Sequence, residues 1–150
     1  MDEQKARELA KEAASQCIGL RLRFLSRVVS KIYDQALKPL DIKGNQATML
    51  LMLFINGDST PGKLGTALQM EKSTVSRNLE RMRKKGWIGV SDRGHGSSQV
   101  ITVTPKGKEL LAAVHSEWAK AQHKASGLLG DEGVRALSTL YDTIRGGVQE

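Results

Sequence analysis

Aromatic side chains are scarce: two Trp, two Tyr and two Phe among 150 residues. Any core must therefore be filled by aliphatic residues and by methionine, which adapts to irregular gaps. The single cysteine, Cys17, excludes an intramolecular disulfide framework. No apolar run approaches the roughly 20 residues that a membrane-spanning helix needs. The first residues are acidic and polar where a secretion signal would be apolar. These absences lead to the expectation of a soluble, cytoplasmic protein with no membrane partner. Also missing are a Gly-rich phosphate loop after a strand, a paired acid motif and a nucleophile elbow, so neither an enzyme nor a cofactor is expected. His95, His115 and His123 are the only histidines. With one cysteine and no tight carboxylate cluster beside them, they offer too few converging ligands for a metal site.

What is present is positive charge and helical periodicity. Lys and Arg outnumber Asp and Glu by 23 to 16, a net charge of +7, which suits a polyanionic partner. The length fits one domain. Only three prolines occur, and each punctuates a helix. Pro39 ends a helical pattern running from Asp2 to about Leu37, because the residue before proline avoids helical geometry. Thr60-Pro61 and Thr104-Pro105 both read as a capping hydroxyl followed by a proline at the first helical position.

Between the last two prolines lies the most informative stretch. A short helix from Pro61 closes at Leu68-Gln69-Met70, and a second starts near Glu71. In the second, Val75, Leu79 and Met82 form a narrow apolar stripe. Around it stand Ser73, Thr74, Ser76, Arg77, Asn78 and Arg81. Short hydroxyls, an amide and arginines are the groups that read base edges and hold phosphates. Lys84-Lys85-Gly86 ends this helix, with Gly86 suited to a left-handed cap. Trp87 to Ser91 and Val100 to Thr104 read as the two strands of a hairpin around a turn-rich tip, Asp92 to Ser98. Helix, turn, helix and hairpin in this order give a winged helix-turn-helix, with one helix for the major groove and the hairpin for the neighbouring backbone or minor groove. From Pro61 to Arg93 eight cations face three anions, +5 of the chain's +7 in about a fifth of its length, the electrostatic footprint of a nucleic-acid binder. The candidate DNA contacts are Thr60, Lys63, Lys72, Ser73, Thr74, Ser76, Arg77, Asn78 and Arg81, with Arg93 and His95 from the wing.

The fold class expected is mainly α with a small β-hairpin wing: a winged helix-turn-helix lobe over about residues 43–104, flanked by helices at about 2–37 and 105–147. A core helix is expected from about Lys43 to Ile55, burying Ala47, Leu50, Leu51, Leu53 and Phe54. After the hairpin a long helix runs to about Leu129, is broken at Gly130-Asp131, and is followed by a last helix. The flanking helices carry more apolar surface than the central lobe can cover. A two-fold homodimer is inferred, whose reading helices, about 34 Å apart, would meet a palindromic site on double-stranded DNA.

Three stretches in this order resemble the MarR family of bacterial transcription regulators: Leu25 to Leu40 (LSRVVSKIYDQALKPL), Ser73 to Leu79 (STVSRNL) and Val103 to Gly107 (VTPKG). The resemblance extends from about Cys17 to Ile144. It implies a homodimer that binds a palindromic operator, often as a repressor, and that releases DNA when a small aromatic ligand enters between the dimer helices and the winged lobe. It places Ser73, Thr74, Ser76 and Arg77 against the major groove and makes Arg93 the wing arginine. The family's wing commonly carries Asp followed by two arginines, whereas this tip reads Asp92-Arg93-Gly94-His95, so the expectation is a wing that reads the minor groove more weakly or in partial dependence on His95 protonation. Some members sense oxidants through cysteine. For Cys17 that role, with Arg21 one turn away to lower its pKa, stands against plain packing as a small hydrophobe. Tyr33 and Trp118 are candidates for lining a ligand pocket, against an ordinary core role. A protein-interaction module of winged-helix type is the competing function.

Overall fold

The structure is a computed structural model that describes residues 2–92 and 99–148. Its elements in chain order are helices α1 (Glu3–Gln16) and α2 (Ile18–Leu37), a 3-10 turn (Lys38–Leu40), helices α3 (Gly44–Asn56), α4 (Pro61–Leu68) and α5 (Lys72–Lys84), strands β1 (Ile88–Ser91) and β2 (Val100–Val103), and helix α6 (Pro105–Val148). The expected mainly helical fold with a two-stranded wing is what forms.

The winged lobe owes its shape to a few local rules. Thr60 Oγ1 accepts from the Lys63 amide at 3.3 Å and Pro61 opens α4, so a first-turn donor is satisfied where no helical partner exists. Gln69 adopts a left-handed conformation and turns the chain into α5. Val75, Leu79 and Met82 are all buried, as the stripe requires. They pack with Met49, Leu50 and Leu53 of α3, Leu64 of α4, Trp87, and Ile88 and Ile101 of the two strands. Each such side chain, fully buried, contributes about 1.5–3 kcal/mol. The strands pair antiparallel from Ile88 opposite Val103 to Ser91 opposite Val100. Ser59 adds a short third edge, with Ile101 N donating to Ser59 O at 2.8 Å.

Gly86 ends α5 at φ +76°, a left-handed conformation that costs about 1–2 kcal/mol for a residue with a Cβ. Thr104 then locks the hairpin to α6. Its hydroxyl donates to the carbonyl oxygen of Gly86 at 2.6 Å or of Trp87 at 3.0 Å and accepts from the Gly107 amide at 3.1 Å. Gly107 is required by close approach: a Cβ there would stand 2.2 Å from the Trp87 carbonyl oxygen and 2.9 Å from Val103 Cγ1.

Two departures from the sequence reading matter. The first helical pattern is not one helix. Cys17 has ψ 108°, ends α1 and caps α2, its Sγ accepting from the Leu20 amide at 3.3 Å. Periodicity passes smoothly over a single non-helical residue, which is why the break is invisible in the pattern. The change from the charged α1, which buries nothing, to the apolar α2 is the only trace it leaves. In α3, Ala47, Leu50 and Leu53 are buried as expected, but Leu51 and Phe54 are not: they are 47% and 52% exposed. The lobe covers the face carrying Gln46, Met49, Leu50 and Leu53, spaced by three and four residues, and leaves the flank of Leu51, Phe54 and Ile55 open. The break at Gly130 is present, with φ 70° and ψ 167° inside α6.

A second, smaller core joins α2 to α6. Ile32 of α2 meets Ala121 and Ala125 of α6, with Tyr33 and Ala36 beside them. Small alanines let the two helices approach closely, so the flanking helices are fixed to each other as well as to the lobe.

Candidate nucleic-acid interface

Helix α5 is anchored by its buried stripe, and that stripe decides which residues point away. Each residue advances about 100° around the axis, so Ser73 and Arg77, one turn apart, stand opposite Val75, Leu79 and Met82. Both are exposed, as are Lys72, Ser76 and Arg81. Glu80 shares this surface and takes up part of its charge. Arg83 donates to it through two nitrogens at 3.0 and 2.9 Å, and Lys84 lies 3.7 Å away. The Arg83 hydrogen bond, more than any charge effect, holds the Glu80 carboxyl below its ordinary pKa. The Glu80 contribution is therefore present above the unfolded-state pKa and is lost only as pH falls through the lower folded value. Lys63, Lys72, Arg77 and Arg81 have no carboxylate partner among the described residues. The uncompensated charge thus sits on α5 from Lys72 to Arg81 and on α4.

Thr60 and Lys63 lie at the start of α4, Thr60 half-buried with its hydroxyl engaged in the cap, Lys63 exposed. Thr74 and Asn78 are half-buried on one flank of α5. Asn78 Nδ2 donates to the Thr74 carbonyl at 2.9 Å, and Asn78 also lines a cavity against α2. The structure therefore groups Ser73, Ser76, Arg77 and Arg81 on the open surface and sets Asn78 inward of them. Arg93 and His95 lie outside the described residues.

That cavity, about 410 Å³, is enclosed by α2, the start of α3, Asn78 of α5 and Trp118 of α6. It brings together both aromatic candidates: Tyr33 and Trp118 line it. Burial pushes the Tyr33 phenol above its ordinary pKa, so at neutral pH it is an uncharged donor, directed to Gln122 Oε1. Trp118 stands 5.6 Å from the His115 ring. Leu51, the residue expected in the core, forms part of the same wall. Its alternation with the buried positions of α3 was a usable signal for a second apolar face.

Cys17 is half-buried and its sulfur accepts an amide hydrogen bond. Arg21 does not turn toward it; its guanidinium donates to the Ser15 carbonyl. Among the described residues, no three His, Cys, Asp or Glu side chains converge as a metal site, and no helix is long and apolar enough to cross a membrane.

The comparisons with known proteins fit this geometry. The MarR-family sequence profile matches residues 40–96, from the end of the 3-10 turn to the wing. An uncharacterized HTH-type transcriptional regulator of Bacillus subtilis, YdgG, is 30% identical over 78 residues, half of this chain and 51% of its own length. The chain thus aligns with about half of that relative. Among solved structures, a cysteine-to-serine mutant of MarR from E. coli complexed with operator DNA superposes with a TM-score of 0.76 at 19% identity, covering 88% of this chain and 96% of that one. The transcriptional repressor CouR bound to p-coumaroyl-CoA gives 0.76 at 21% identity, over 88% and 94%. A winged helix-turn-helix with an exposed polar helix face, set between flanking helices, defines the class. Residues 40–96 of this chain match the MarR family, and its fold is that of the solved MarR structure.

Proposed function

We propose that the protein is a homodimeric, sequence-specific DNA-binding regulator, acting as a repressor that a small aromatic ligand releases. The observation that carries DNA reading is the exposed pair of Ser73 and Arg77 directly opposite the buried stripe of α5, with exposed Ser76 beside them. A helix held by one face and presenting hydroxyls and a guanidinium on the other offers both base-edge and phosphate contacts. The solved MarR complex with operator DNA supports the reading by fold.

The dimer is supported by what the protomer leaves uncovered. Ile18, Leu22 and Phe24 of α2, with Leu137, Leu140 and Ile144 of α6, are each at least half exposed. Apolar surface on this scale marks an interaction site, and a second copy offers the same surface in two-fold register. Ligand release draws on the cavity between α2 and the winged lobe, with Tyr33 and Trp118 on its wall and Asn78 tying it to α5. Its volume lies within the usual range of about 300–1,000 Å³ for small-molecule sites.

Fluorescence anisotropy with a duplex from the protein's own promoter region, against a scrambled duplex, tests the proposal. Tighter binding to the promoter duplex with a steep decline as salt rises is expected. Equal affinity for both duplexes removes sequence reading. No binding to any genomic fragment at moderate salt favours a module that binds an acidic protein.

A further inference from the structure

On the other side of the Ser30–Asp34 turn of α2 lies a second cavity, about 720 Å³, between α2, the 38–43 linker and the C-terminal end of α5. It adjoins the aromatic cavity at Ser30, Asp34 and Lys43 but contains neither Tyr33 nor Trp118. Six cations line it: Arg27, Lys31, Lys38, Lys43, Arg81 and Lys85. Only two carboxylates do, and both are already engaged. Asp34 Oδ1 accepts from the Gly44 amide at 2.7 Å, where it serves the first turn of α3. Asp41 pairs with Lys85, whose ammonium also donates to the Asp41 carbonyl at 2.6 Å. The other five cations have no carboxylate partner among the described residues.

A second observation points the same way. Gln46 is 5% exposed, yet it lines this cavity. Its Oε1 accepts from the Lys43 amide at 3.2 Å, which fixes the orientation of the side-chain amide. A polar side chain held in one orientation, among six cations of which five have no carboxylate partner among the described residues, is suited to an oxyanion.

We infer that this cavity binds a small, multiply charged oxyanion of the phosphate type, a free diphosphate or a phosphorylated metabolite. The two arginines supply planar forks that match phosphate oxygens, the lysines supply compact charge, and Gln46 supplies a directional donor. The position gives the ligand leverage. Lys85 also lies 4.8 Å over the Trp87 ring, and its carbonyl accepts from Lys106 at 2.8 Å, so it joins α5, the wing and α6 to the linker. An oxyanion that draws Lys85 from Asp41 loosens the recognition helix from the linker to α2.

The test is calorimetric titration of the full chain with inorganic pyrophosphate, and in parallel with a nucleoside diphosphate, against sodium chloride at matched ionic strength. Saturable binding is expected with the diphosphates and none with chloride. In Lys31→Gln/Lys38→Gln that binding should weaken about tenfold or more, while DNA affinity without anion stays within about twofold, as for surface changes remote from a contact. The stronger of the two diphosphates identifies the source of the phosphate. Heat from chloride equal to that from pyrophosphate, or pyrophosphate binding untouched in the double variant, overturns the site. So does a variant that loses DNA affinity to the same extent, which makes these cations DNA contacts, or one that changes from dimer to monomer, which makes them a subunit contact. Because the titration is read on free protein, its failure leaves the DNA-binding proposal standing.

Discussion

At the scale of single residues, the proposed DNA contact is tested most directly at Arg77. It is exposed, central to the face opposite the buried stripe, and has no carboxylate partner among the described residues. Arg77→Ala is expected to weaken binding to the promoter duplex by about 1–3 kcal/mol, and by less on scrambled DNA. Equal losses on both, measured by anisotropy at one salt concentration, reduce Arg77 to a phosphate contact. Gly107 carries a different prediction, about stability. Gly107→Ala drives a methyl group into the Trp87 carbonyl, a backbone atom that cannot swing aside as a side chain would. A loss of about 3 kcal/mol or more is expected in urea unfolding, at the upper end of overpacking costs. An unchanged midpoint shows that α6 can withdraw from the hairpin without cost. The residues that cap and terminate helices, Thr60, Gly86 and Thr104, were legible because local backbone chemistry alone selects them. Asn78 was not, since whether it reads DNA or closes a cavity depends on where α2 and α6 lie.

At the scale of elements, α5 is a charge device as well as the proposed reading surface. Glu80 ties up Arg83 and Lys84 and leaves the cations before them unpaired. Glu80→Gln frees both, so non-specific affinity should rise and the plot of log K against log salt should steepen by about one unit. Protonating Glu80 has the same effect on charge. Its carboxyl is held below the ordinary range by Arg83, so the change begins only at pH below that range and is absent between neutral and mildly acidic pH. A salt slope identical in Glu80→Gln and wild type shows that Arg83 and Lys84 never approach DNA. The extents of α3, α4 and α5 were readable from stripe and cap together. The split of the first helical pattern at Cys17 was not, because nothing in a period of 3.6 marks one extended residue. The exposure of Leu51 and Phe54 is hidden in the pattern for a related reason. An apolar helix announces that it will be covered, and its partner need not belong to the same chain.

At the scale of the whole molecule, the uncovered surface is the strongest argument for a second copy. α1 buries none of its residues, the first turns of α2 are mostly open, and α6 beyond Gly130 carries Leu137, Leu140, Tyr141 and Ile144 into solvent. Among the described residues, the buried contacts that hold α2 to α6 within the protomer are those of Ile32, Ala121, Ala125 and their neighbours. A stable homodimer removes about 1,200–2,000 Å² or more from water, and the ends of these two helices are where a self-complementary contact can supply it. The expected solution mass is therefore twice the 16.4 kDa of the chain. Leu22→Glu/Leu140→Glu places charge in the middle of the proposed contact, one residue on each helix, and should yield a monomer at micromolar concentration by analytical ultracentrifugation. Both side chains are at least half exposed in the protomer, so the lobe's helical signal in circular dichroism should persist. Paired half-sites require a fixed spacing of about 34 Å, so the monomer should also lose most of its preference for a two-fold duplex while retaining weak contact with a half-site. A wild-type mass of 16.4 kDa at working concentration ends the two-fold reading, and a double variant that remains dimeric moves the contact away from these helices.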